Sequence, residues 1–365
     1  MLFFLGNASG RGRGVVRVYE QQGIRPRRVW LFTNAPISGT IIRHVATVVP
    51  AEGVILERVL EETHSISPEG LSRQAYAKFD TAQMKTTWGR RHQRRLALLD
   101  GVDVLASATQ YDLTAVLGQR PVRVCGIGAV LTQPAHRAGG HAQELVGRLL
   151  DQAARDGAAM ALLFSDMSHE HQPTGFDLDA MTEAELSVAE STRRGAPMTL
   201  IRGGEERDLA AIVAMGQVRA RSFRFHLDRD VDFVQYAITK KRLLAGLAPA
   251  TTRQLHFFIA EEGITAAAYV VVSIIGRTWT LEECGDRDPS GARVGAILQA
   301  LIAREPVEHR PTIRGRLPAG FVPPQVPIVS ANPSTEVMMV RSLGSTVVQP
   351  KLSGDDVLYW RGDIF

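Results

Sequence analysis

The chain has 365 residues, 45% apolar and 22% charged, with 33 Gly, 18 Pro and two cysteines, Cys125 and Cys284. This is the composition of an ordinary globular protein of about two or three domains, and it excludes collagen-like, linker-dominated and disulfide-stapled architectures. The net charge of +4 does not point to nucleic acid, because residues 1–50 alone carry +6 and the remaining 315 residues carry −2, whereas a nucleic-acid domain keeps its basic stripe on the folded body.

In chain order, residues 1–53 read as an Arg-rich extension outside the folded repeat. Met1–Leu5 is too short for a secretory h-region, and the Arg-rich, acid-poor character is shared with organellar transit peptides and with disordered termini. Two free cysteines far apart favour a reducing compartment, so a cytoplasmic location is expected. Pieces at Val29–Thr33 and Thr40–Val49 are strand-like. Val54, Ile55, Leu56, Val59 and Leu60 fall at helical spacing. Arg90–Arg95 is a basic cluster that reads as a solvated face. Two apolar runs, Leu96–Leu99 and Val102–Ala108, are split by Asp100-Gly101, which predicts a β-hairpin. Val122–Thr132 is a long apolar strand, and the absence of alternation marks it as covered on both faces. Ala142, Leu145, Val146, Leu149, Leu150 and Ala153 form the inward stripe of a helix over Gly140–Ala154. Met160–Phe164 is a further buried strand.

The order then recurs. Met198–Ile201 reads as a strand and Asp208–Arg219 as a helix. His256–Ala260 and Ala266–Val272 flank a Glu261-Glu262-Gly263 turn, Thr278–Cys284 is a strand, and Gly291–Ala303 is a helix. The apolar run Ile264–Gly276 is about 13 residues, short of the roughly 20 of a membrane-spanning helix, and reads as a strand pair. Gly101 and Gly263 stand 162 residues apart, so the repeat is two copies of one domain. The expected organisation is an α/β fold with mixed sheets: an extension over 1–53, a first lobe over 54–197, a second over 198–345 and a tail over 346–365.

The stretch Val130-Leu131-Thr132-Gln133-Pro134-Ala135-His136-Arg137-Ala138-Gly139-Gly140-His141-Ala142 carries the chemistry. A strand ends, a short loop passes Pro134, and Gly139-Gly140 open a helix. The first turn of a helix offers unpaired N–H groups and the positive end of its dipole, and glycine lets a phosphate approach the backbone. Arg137 adds a cation at the rim. No Lys-Ser/Thr follows the glycines, which excludes a Walker A loop, and no G-x-G-x-x-G spans the turn, which excludes a dinucleotide fingerprint.

With the Asp100-Gly101 hairpin, the strand Val124–Thr132, Arg137-Ala138-Gly139-Gly140-His141-Ala142, the strand Ala161–Asp166 and Gly175-Phe176 in order, residues 60–205 resemble the GNAT superfamily of acetyl-CoA-dependent N-acetyltransferases. The first Gly of the family loop is Ala138 here. Residues 198–345 look like a second, degenerate lobe, because the junction Cys284–Arg293 lacks the Arg-x-x-Gly-x-Gly/Ala pattern. Tandem lobes with one working site also occur in mycothiol-synthase-like and enhanced-intracellular-survival proteins.

The resemblance implies an N-acetyltransferase that moves an acetyl group from acetyl-CoA to an amine by direct attack. The pantetheine arm would lie between Val124–Thr132 and Met160–Phe164, against Val130, Leu131 and Thr132. Arg137, Ala138, Gly139, Gly140, His141 and Ala142 would hold the pyrophosphate. His171 stands where the family commonly has a tyrosine general acid, and an imidazolium can donate a proton. Asp166, Glu282 and Glu283 are the candidate bases. Tyr111 and Trp88 are candidates for the acceptor side, and Cys125 reads as a buried small hydrophobe. No metal is expected, since His169-Glu170-His171 lacks further ligands. The expected partner is an amine-bearing acceptor, small molecule or protein, with a homo-oligomer allowed for and neither nucleic acid nor membrane. The competing reading is a non-catalytic acyl-CoA-binding or scaffolding protein of the same fold. The apolar tail Val357–Phe365 is suited to docking, and in the enhanced-intracellular-survival proteins the chain-end carboxylate is the base.

Overall fold

A computed structural model describes residues 46–165, 177–178, 182–186, 200–334, 337–344 and 352–363. The elements run β1 (Thr47–Pro50), α1 (Gly53–Ile66), α2 (Arg73–Met84), α3 (Thr87–His92), β2 (Gln93–Asp100), β3 (Asp103–Leu117), β4 (Arg120–Thr132), α4 (His141–Arg155), β5 (Met160–Ser165), β6 (Asp177–Leu178) and β7 (Thr182–Leu186). They continue with β8 (Leu200–Gly203), α5 (Leu209–Ala220), β9 (Phe225–Leu227), α6 (Val231–Leu247), β10 (Arg253–Glu262), β11 (Thr265–Ile275) and β12 (Thr278–Asp286). The last are α7 (Ala292–Ile302), β13 (Ile313–Gly315), β14 (Ile328–Pro333), β15 (Val337–Ser342) and β16 (Val357–Leu358).

The strands form two mixed sheets. The first has the order β1-β2-β3-β4-β5-β15-β6, with β9 and β16 joining through the far end of β3. The second has the order β14-β7-β13-β12-β11-β10-β8. In each, antiparallel hairpins lead to a parallel pair, β4 with β5 and β12 with β13, and β9 pairs in parallel with β16 at the edge of the first. The expected hairpins are present: Gly101 and Gly263 take positive φ at the turns, which a residue without Cβ adopts at no steric cost. The run Ile264–Gly276 is one buried strand, β11, rather than a strand pair.

The lobe boundary expected at 197/198 does not follow the sheets. Thr182–Leu186 pairs with β13 and β14 in the second sheet, and Val337–Ser342 pairs with β5 in the first. Each sheet therefore takes a strand from the other half of the chain. The extension also ends earlier than 53, because Thr47–Pro50 pairs with β2; the remainder of that segment, residues 1–45, lies outside the described residues. Part of the tail docks: Val357 and Leu358 pair with β9, and Tyr359 and Trp360 are buried. Among the described residues no helix is long and apolar enough to cross a membrane.

Local chemistry explains the helices around the first sheet. In α4 the predicted stripe is realised, with Leu145, Val146, Leu149, Leu150 and Ala153 packed on Cys125, Ile127, Ala161 and Leu163; each buried leucine is worth about 1.5–3 kcal/mol. Ser72 caps α2 by accepting from the Ala75 N–H at 3.2 Å, and Asp230 caps α6 by accepting from Phe233 at 2.7 Å, the usual role of a short oxygen-bearing side chain there. Trp88, on α3, packs edge-on to Phe233 and close to Tyr236. This aromatic cluster ties α3 and α6 to the face of the first sheet.

Candidate functional site

The site begins where β4 and β5 part. Their parallel pairing runs from Val124/Met160 to Ile127/Leu163 and stops. Beyond it, Phe164 and Ser165 of β5 pair with β15, while β4 stays with β3 as far as Ala106/Thr132. The register of that second ladder slips between Ser107 and Thr109, and Ala129 takes a φ of +47°. This is a β-bulge, which bends a strand and leaves backbone groups unpaired. Ala129 is exposed, and Val130, Leu131 and Thr132 are half-buried along the opening.

The loop beyond the bulge is anchored at its start. Gln133 donates its backbone N–H to Leu105 O at 3.1 Å and its side-chain amide to Glu62 at 2.5 Å. One 3-10 turn covers Pro134–His136. Ala138 and Gly140 then take φ of +67° and +75°, so the departing residue Ala138 still adopts the conformation glycine prefers, at a cost of about 1–2 kcal/mol. Gly140 is the N-cap of α4, no side chain caps that helix, and a Cβ at Gly140 would meet nothing within 4 Å. A Cβ at Gly139 would lie 2.5 Å from His141 Nε2, because the His141 ring folds back over the loop. The first-turn amides of α4 thus face a space that their own chain leaves open, which suits an anion.

The corresponding turn in the second sheet is closed. Gly291 caps α7 with a φ of +71°, yet Asp286 accepts from the Arg293 and Asp288 N–H groups, both at 2.9 Å, and from Arg293 Nη1 at 2.9 Å. Phe321 sits 2.7 Å from where a Gly291 Cβ would stand. Asp286 places a carboxylate where α4 leaves room for a phosphate.

A cavity of about 440 Å³ opens on the bulge, lined by Ala129, Val130 and Leu131 on one side. Its floor is Arg95, Thr109 and Tyr111, and its walls come from α1, α2, α6 and Arg361. Arg95 was expected on a solvated face, yet it is buried and ion-paired with Asp80. The strand period explains this: Gln93, Arg95 and Ala97 share the inward side of β2. Burial pushes the Tyr111 and Tyr236 phenols well above their ordinary values, so both stay protonated. Tyr236 donates to Gln93 at 3.1 Å. Tyr111 lines the cavity, whereas Trp88 stacks behind it at 6.4 Å.

The catalytic candidates divide. Asp166 and His171 lie outside the described residues, as do His169, Glu170, Gly175, Phe176 and the chain end at Phe365. Glu282 is buried; it accepts from Ser273 and binds Lys241 at 2.9 Å, so it stands behind Lys241, which lines the cavity. Glu283 grips the Arg229 guanidinium through two bonds of 2.8 and 2.6 Å and accepts from Tyr269 at 2.5 Å. Both glutamates are therefore held in ion pairs. Cys125 is a buried free thiol, pushed up to about 11 by burial.

Residues 62–177 match the family model of the acetyltransferase (GNAT) domain. The chain carries a GNAT domain. Its splayed strands, bulge and glycine loop all fall within that match, which supports an acyltransferase role. Three solved structures have a similar fold. A GCN5-related N-acetyltransferase from Kribbella flavida is 17% identical, with 82% of this chain and 71% of that one covered and a TM-score of 0.59. One from Anabaena variabilis is 12% identical over 82% and 73%, with a TM-score of 0.56. Eis1 from Mycobacterium abscessus is 14% identical over 82% and 74%, with a TM-score of 0.50. No curated protein sequence matches the chain. Sequence reasoning singled out the glycine loop but missed the cavity residues Arg95, Thr109 and Lys241 and the Asp80 carboxylate behind Arg95; strand alternation through Arg95 was the available signal.

Proposed function

We propose that this chain transfers an acetyl group from acetyl-CoA to an amine. The observation that supports this reading is the parting of β4 from β5 just ahead of the uncapped first turn of α4. In this reading Arg137 and the backbone of Ala138–Ala142 hold the pyrophosphate, and the free backbone edge at Val130, Leu131 and Thr132 pairs with the pantetheine arm. Acetyl-CoA supplies the thioester carbonyl. The amine reaches it from the cavity that opens on the bulge; the new N–C bond forms as the C–S bond breaks. A base takes the ammonium proton before attack, and an acid returns one to the thiolate. We assign the base to Asp166 and the acid to His171, with Glu282 holding Lys241 in the cavity wall. The second sheet is then a degenerate lobe whose phosphate site is filled by Asp286. Two free, buried cysteines suit a reaction in the cytoplasm.

Calorimetry with acetyl-CoA and thiol release with a panel of amines test the reading. Binding with turnover supports it; binding without turnover to any amine favours an acyl-CoA-binding protein instead, and no binding overturns both. If His171 is the acid, kcat falls as pH rises through its titration, and His171→Tyr removes that descending limb while keeping activity. Superimposable pH profiles for the two proteins would discard the role.

A further inference from the structure

We infer that the acceptor is a small amine that also bears an anionic group, a carboxylate or a phosphate, seated on Arg95 and Thr109. The inference rests on reading the site as an acyltransferase and names the acceptor class for it. The cavity is of small-molecule size, about 440 Å³. Its described lining includes four cationic side chains, Arg95, Lys240, Lys241 and Arg361, against one carboxylate, Glu69 at the rim. Glu69 is already engaged with Arg253 at 3.7 Å. Asp80 and Glu282 hold Arg95 and Lys241 from behind.

Two buried polar atoms on the cavity floor point to a ligand. Arg95 Nε and Thr109 Oγ1 have no hydrogen-bond partner among the described residues, although Arg95 is 8% and Thr109 0% exposed. A guanidinium presents its donors as a planar fork, so Asp80 on one nitrogen leaves Nε available for a second oxygen. Thr109 pairs with Gly128 next to the bulge, on the floor that leads to the parting of β4 from β5. An anion on Arg95 and Thr109 therefore sits within the same cavity as Val130 and Leu131. Its amine then faces the bulge, and its carbon chain lies along Phe79 and Leu244. A polyamine or other polycation would instead meet guanidinium and ammonium groups on several sides.

The test is transfer from acetyl-CoA to matched pairs that differ only in the anion: lysine and cadaverine, 4-aminobutyrate and propylamine, phosphoethanolamine and ethanolamine. The expected result is a kcat/KM higher by about 10- to 100-fold for the anionic member, the size of one hydrogen bond to a charged group. The first two pairs against the third decide between carboxylate and phosphate. Equal or reversed preference in every pair overturns the inference while leaving the acyltransferase reading intact. No transfer to any member overturns both. Thr109→Val, which keeps shape and leaves no partner unpaired, should raise KM for the anionic amine about two- to tenfold with the Kd for acetyl-CoA unchanged. Arg95→Ala strands Asp80 and is a poor probe. Asp80→Asn with Arg95→Gln removes both charges together and should abolish the preference; a preference that survives in that folded double variant overturns the assignment to Arg95.

Discussion

Both α4 and α7 follow a strand that takes part in the parallel pair of its sheet, and both begin at a glycine with positive φ, Gly140 and Gly291. In α4 the first-turn amides have no capping side chain. In α7 the Asp286 carboxylate accepts from the Arg293 N–H, and Phe321 packs over the glycine. The same turn serves two ends. One keeps its partial positive charge available to a ligand; the other spends it on an internal carboxylate and gains stability. A glycine-led helix start is therefore not a phosphate site by itself, and what the preceding strand brings to its mouth decides.

The sharpest way to break the comparison is to give α4 what α7 has. Gly140→Asp should weaken acetyl-CoA binding at least about 100-fold, with a melting temperature no more than slightly below that of the parent, because a carboxylate at a helix N-terminus offsets much of the strain of a side chain at positive φ. Calorimetry and thermal unfolding on one sample separate the two effects. The reverse change, Asp286→Ala, should cost about 3–5 kcal/mol in urea unfolding, the range for stranding one partner of a buried pair, here Arg293. It should not create a second site, since Phe321 remains; a stoichiometry above one acetyl-CoA per chain would show that Asp286 alone closes the turn and that Phe321 does not. Arg137→Ala should weaken acetyl-CoA binding by about 1.5–3 kcal/mol without changing stability. The smallest effect belongs to Ala138→Gly, which removes left-handed strain of about 1 kcal/mol; a modest rise in melting temperature is expected, and a fall would show that the loop needs the stiffer residue.

The hairpins of both sheets and the loop were legible because their signals are local. Hairpin turns at Gly101 and Gly263, the stripe of α4 and the glycines after β4 each lie within a few residues of one another. Helix α2 was missed because its buried face includes Asp80 and Gln83 beside Tyr76 and Phe79, a pattern that hydropathy reads as surface. The cavity was missed for a related reason: Arg95 is inward only because Asp80, on helix α2, neutralises it. The crossing of β7 and β15 between the sheets leaves no trace in periodicity, since a strand reads the same whichever sheet receives it. The ion pairs that hold Glu282 and Glu283 depend on Lys241 and Arg229, far away in the chain, so two acids in a strand looked like bases.

The placement of β15 has a consequence for how the protein is made. Met160 pairs with Ser342 and Ser165 with Val337, so the partner of β5 is synthesised long after β5 itself. Until then β5 presents one unpaired edge beside a hydrophobic core, the kind of surface that recruits other strands. The seating of Val357 and Leu358 on β9 comes later still. The first sheet is incomplete in a nascent chain that stops short of these residues, whereas every strand of the second lies before them. Such long-range pairing folds slowly and exposes intermediates to aggregation, so emergence of Val337–Ser342, rather than of the first half, sets the moment at which the glycine loop acquires a fixed frame. A chain truncated before residue 337 loses the first sheet's closure even though the whole loop is present.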